Sequence, residues 1–70
     1  MKIYAKNQFK LARLMQGFTV VALAKELEMS RQAVTQIENG THGISPEKAK
    51  LATEVLNAEF GDIFKLVERG

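Results

Sequence analysis

The sequence predicts an all-α domain of five short helices, and three observations carry that expectation. Glycines and the single proline divide the 70 residues into short segments, and most of these place their apolar residues near a helical period. Alternating strand patterns are almost absent; Lys2-Ile3-Tyr4 is long enough only for an N-terminal arm, residues 1–8. The connections are a few residues each, as between packed helices. One domain, residues 9–70, follows the arm.

Each helix has its own start and stop. Helix one runs from Asn7, a capping residue, to Gln16, with Phe9, Leu11, Ala12, Leu14 and Met15 near helical spacing and Gly17 ending it. Thr19 caps helix two, where Leu23, Ala24 and Leu27 share one face. Ser30 caps helix three, which turns Ala33, Val34 and Ile37 inward and stops at Asn39-Gly40. Ser45-Pro46 starts helix four, because a proline at the first helical position lacks only an N–H that would be unpaired anyway. Helix four runs to about Leu56 and helix five from roughly Phe60 to Glu68.

Composition narrows the function. Without cysteine there is no disulfide framework and no thiolate metal site, and one histidine, His42, cannot build a metal centre alone. The longest apolar run, Val20 to Ala24, is far below the roughly 20 residues of a membrane span. The sequence also predicts no signal peptide, so a reduced cytoplasmic compartment is expected. No nucleophile–base pair or carboxylate dyad stands out, so neither an enzyme nor a cofactor is expected. Charge is uneven: residues 1–31 hold six bases against two acids, and residues 32–70 hold four against six. A basic half suits an anionic partner.

The most informative stretch is Thr19 to Gly40, TVVALAKELEMSRQAVTQIENG. Two helices separated only by Glu28, Met29 and the Ser30 cap must cross steeply. Ala24 is the small residue their inner corner needs, and Val34 and Ile37 pack the second helix on the first. The opposite face of that second helix, about residues 30–39, carries Arg31, Gln32, Thr35 and Gln36. These donate and accept hydrogen bonds and include no acid. Such a face suits a major groove about 12 Å wide, where Gln pairs bidentately with adenine and Arg with guanine.

From about Phe9 to Phe64 the chain resembles the phage Cro/repressor-type helix-turn-helix proteins, also called the xenobiotic-response-element-like family. The resemblance rests on Arg13 four residues before Gly17, on Leu23-Ala24, on Met29-Ser30-Arg31 with Val34 and Ile37, and above all on Glu38-Asn39-Gly40. Leu56 and Asp62-Ile63-Phe64 match the family's closing segment. It implies a lambda-repressor-like fold with Arg31, Gln32, Thr35 and Gln36 at base edges. Lys10, Thr19, Ser30, Asn39, the Gly40 amide, Thr41 and His42 would hold phosphates, and Arg13 and Glu38 would form a partly buried ion pair. Two departures stand out. Val20-Val21 replaces the phosphate-binding glutamine and polar residue that usually open helix two, and Glu28 occupies a turn position often held by glycine, at a cost of about 1 kcal/mol.

The resemblance implies a sequence-specific regulator that binds double-stranded DNA and acts by operator occupancy, from a phage or mobile element in a bacterial cell. The alternative is an antitoxin or anti-regulator that mainly grips a protein partner. Leu51 and Val55 on the outer side of helix four, with Phe60, Leu66 and Val67, form a candidate apolar patch. It would build either a twofold dimer on a pseudo-palindromic site or the thin core of a monomer. Val20 and Val21 are covered either by the Ile3-Tyr4 arm or by another protein. Lys2, Lys6 and Lys10 are either a solvated face or an arm along DNA, and His42 is either a plain loop residue or a phosphate contact.

Overall fold

A two-stranded antiparallel ribbon joins the two ends of the chain around a bundle of helices. The structure, a computed structural model, describes residues 1–68, so the last two residues of the expected 9–70 domain lie outside it. In order the elements are β1 (Lys2–Ala5), α1 (Asn7–Met15), α2 (Val20–Leu27), α3 (Arg31–Glu38), α4 (Pro46–Leu56), α5 (Phe60–Ile63) and β2 (Phe64–Val67).

Helices two to four begin as their sequences dictate. The hydroxyl oxygens of Thr19, Ser30 and Ser45 accept from the amides of Ala22, Ala33 and Lys48, at 3.0, 3.0 and 3.3 Å. Each satisfies one of the amides that a helix start leaves unpaired. Helix one differs from expectation: Lys6, not Asn7, is its cap residue, and no side chain caps it. The reason is tertiary, because the Lys6 amide donates to the Ile63 carbonyl at 2.8 Å and its extended backbone continues β1.

The ribbon is the main correction to the sequence reading. Five helices are present among the described residues, but the fifth is a single turn, and Phe64–Val67, expected to continue it toward Glu68, are instead strand β2. Lys2, Ile3, Tyr4 and Ala5 pair with Val67, Leu66, Lys65 and Phe64. Thus residues 2–5 of the expected arm are a paired strand. Val20 packs against the core itself, and Val21 stays 48% exposed. Phe64-Lys65-Leu66-Val67 is a good strand once a partner exists, but that partner is some sixty residues away, beyond any local period. On its other edge Ile3 accepts from the Ile44 amide at 2.9 Å, so β1 also supports the loop after α3.

Phe9, Leu23, Leu27, Val34, Leu56, Ile63 and Phe64 form the centre of the core. The Phe64 ring packs on Phe9 and Phe60, with centroids 5.5 and 5.2 Å apart. Ala49, Ala52 and Leu56 line the inner face of α4, while Leu51 and Val55 are half-buried against the same core. In α1 only Phe9 and Arg13 are buried; Leu11, Leu14 and Met15 point to solvent.

Candidate nucleic-acid interface

α2 packs most extensively on α3, and the turn between them is closed by backbone bonds. The Met29 amide reaches the Ala24 carbonyl at 2.9 Å and the Glu28 amide reaches that of Lys25 at 3.2 Å, with Glu28 left-handed at φ 55°. This is the conformation that favours glycine, so Glu28 holds it at a cost. A second brace was invisible in the sequence. Lys48, on the first turn of α4, donates to the Leu27 carbonyl at 2.7 Å. It satisfies a carbonyl at the α2 terminus and places a cation against that end of the helix dipole.

Val34 and Ile37 hold α3 against the bundle, and the outer side carries the expected polar residues. Arg31, Gln32 and Thr35 are exposed, and Gln36 is half-buried at the edge of the same face. Their spacing sets them as two adjacent pairs one turn apart, so all four address one direction. No carboxylate lies among them. The Thr19 and Ser30 hydroxyls, used as acceptors in their caps, keep their own hydrogens for an anion.

Beyond α3 the chain reverses tightly. Gly40 is left-handed at φ 76°, and the Thr41 and His42 amides both bond the Gln36 carbonyl, at 3.0 and 3.3 Å. Asn39, Gly40, Thr41 and His42 are all exposed on this reversal, adjoining the end of α3. Gly43 follows because a Cβ there would meet the Ile3 carbonyl oxygen at 2.9 Å. Lys10 is exposed on α1, a separate element from the α3 reversal.

The Arg13–Glu38 pair is the deepest polar feature. Arg13 is only 6% exposed; its Nε and Nη2 donate to the Glu38 carboxylate at 2.5 and 3.2 Å, and Nη1 donates to the Phe18 carbonyl at 2.8 Å. One guanidinium therefore ties α1 to the end of α3 and to the loop entering α2. No buried side-chain polar atom among the described residues lacks a partner. The role of Phe18 carried no sequence signal, since a backbone carbonyl is common to every residue.

Of the apolar patch, Phe60 and Leu66 are exposed, whereas Leu51, Val55 and Val67 are half-buried. Leu66 and Val67 lie on β2 and not on a helix. An open crevice of about 360 Å³ lies between β1 and the reversal, lined by residues including Met1, Lys2, His42 and Pro46. Among the described residues no three His, Asp or Glu side chains gather to hold a metal, and no helix is long and apolar enough to cross a membrane. The sequence profile of a helix-turn-helix family matches residues 9–63, a span that runs from within α1 to the end of α5. No curated protein matches the chain.

Proposed function

Since the chain belongs to the Cro/repressor-type helix-turn-helix family of DNA-binding transcription regulators, we propose that it recognises a specific double-stranded operator and regulates transcription by occupying it. The observation that carries this is the outer face of α3: four groups able to bond base edges, free of carboxylates, on a helix fixed by a buried ion pair. Arg31, Gln32, Thr35 and Gln36 read bases. Lys10, the helix starts at Thr19 and Ser30, and Asn39, Gly40, Thr41 and His42 hold phosphates. Those phosphate contacts give register, while sequence is read in the groove. Val20 and Val21 leave only their backbone amides for the phosphate that a side chain would otherwise bind at this point.

The regulator works as a homodimer on a pseudo-palindromic site, with its two recognition helices about 34 Å apart. Exposed Phe60 and Leu66 support an interface on the α5–β2 side, with Leu51, Val55 and Val67 behind them. A phage or mobile element in a bacterial cytoplasm is the setting that fits the family resemblance. Selecting bound fragments from a random DNA pool and sequencing them tests the reading. An enriched, two-fold-related motif is expected; a pool that stays unenriched while the protein remains folded contradicts it.

A further inference from the structure

The three lysines near the start of the chain end in three different places. The Lys6 ammonium donates to the Gly61 carbonyl at 3.0 Å, and Lys10 stands on α1. Lys2 alone of the three lines the crevice between β1 and the reversal, which it shares with His42. Backbone contacts bring it there. The Ile3 carbonyl accepts from the Ile44 amide, and Gly43 carries no side chain to hold the strand off. The other end of the reversal is bonded to α3, through the Thr41 and His42 amides on the Gln36 carbonyl. One hydrogen-bonded frame therefore carries Lys2, His42 and the end of the reading helix.

The crevice is mixed in character. Ile3 and Ile44 give it an apolar floor, Lys2 and His42 are exposed at its rim, and no carboxylate lines it. The acids next in sequence to this region, Glu47 after Pro46 and Glu68 after the Val67 partner of Lys2, lie outside the lining and form no salt bridge. Apolar floor and cationic rim match a sugar–phosphate unit, which has apolar deoxyribose carbons and one charge. We propose that the crevice receives such a unit of the operator backbone, with the Lys2 ammonium on its phosphate and Ile3 and Ile44 against its sugar. The inference rests on the DNA reading and deepens it: His42 belongs both to the reversal and to the crevice, so the backbone held by residues 39–42 runs on to β1. Lys2 is then a positioning residue, which adds affinity and register without sequence preference.

The test uses the duplex enriched from a random pool, together with copies in which one backbone phosphate at a time is a neutral methylphosphonate. Lys2→Gln should bind the unmodified duplex about tenfold more weakly at 50 mM salt and about threefold more weakly at 200 mM, the difference that one released cation makes. Its preference among single-base variants should stay that of the wild type, and its melting temperature should not move. Lys2→Arg, which keeps the charge, should bind within twofold of the wild type. One methylphosphonate should weaken the wild type but not Lys2→Gln, and it should lie at or next to the position that couples in the same way to His42→Ala. Lys65→Gln removes an equal charge from the ribbon outside the crevice and should cost less than twofold at 200 mM salt. An equal loss in Lys65→Gln, no phosphate coupled to Lys2, or a coupled phosphate remote from that of His42 overturns the proposal and leaves the DNA reading standing. A wild type that enriches no motif overturns both.

Discussion

α1 and α3 are helices of similar length that turn opposite chemistry to solvent. α3 buries Val34 and Ile37 and shows Arg31, Gln32 and Thr35; α1 buries Arg13 beside Phe9 and shows Leu11, Leu14 and Met15. The first is the ordinary amphipathic arrangement. The second is its inverse, and it is tolerable only because Glu38 and the Phe18 carbonyl occupy the guanidinium donors. The inversion is therefore linked to α3: the cation that makes α1 unusual is the one that ties down the end of α3.

Breaking that link should have the largest effect. Arg13→Ala leaves the Glu38 carboxylate buried without its partner and should cost about 3–5 kcal/mol, read by urea denaturation. That approaches the whole stability of a small domain. The double change Arg13→Met/Glu38→Leu removes both charges and should recover most of the loss. If it then binds the preferred duplex as tightly as the wild type, the pair serves stability alone; weaker binding at equal stability would establish its role in orienting α3.

Changes on the outer face of α3 should act on binding and leave folding alone. Gln32→Ala should cost about 1–3 kcal/mol of affinity for the preferred duplex and relax the preference at one base pair, measured by titrating a panel of single-base variants. Equal weakening on every sequence would instead make Gln32 a phosphate or shape contact. Affinity for all duplexes should fall steeply as salt rises, because cation release accompanies phosphate binding.

These features differed in how far the sequence disclosed them. The three caps, the Glu28 turn, the Arg13–Glu38 pair and the polar face of α3 are local, or follow from a recognisable residue order, and they occur where expected. The ribbon is a pairing between residues near opposite ends of the chain. Nothing in Phe64-Lys65-Leu66-Val67 alone distinguishes one more helical turn from a strand, and the neighbouring helical turn at Phe60–Ile63 favours the wrong choice. The Lys48 bond to Leu27 was hidden for a related reason, since a lysine at a helix start resembles any solvated lysine. In α1 the periodicity was present, but it described the outer face as well as the inner one.

Smaller effects sharpen the contrast. Glu28→Gly removes the left-handed penalty and should stabilise by about 1 kcal/mol, raising the melting temperature by roughly 4–8 °C. A lower melting temperature would show that the Glu28 side chain contributes more than its backbone costs. Leu14→Ser, on the outer face of α1, should change stability by no more than about 0.5 kcal/mol in a thermal melt. A larger loss would mean that the row belongs to the core.

The central claim is that α3, and not α1, meets DNA with its outward side chains. A chemical-shift map of the labelled protein, titrated with the duplex obtained from random-pool selection, tests it most directly. The largest changes should fall on Arg31, Gln32, Thr35 and Gln36 and on residues 39–42, with Leu11, Leu14 and Met15 unmoved. A map in which α3 stays silent while α1 or the ribbon responds would contradict the account.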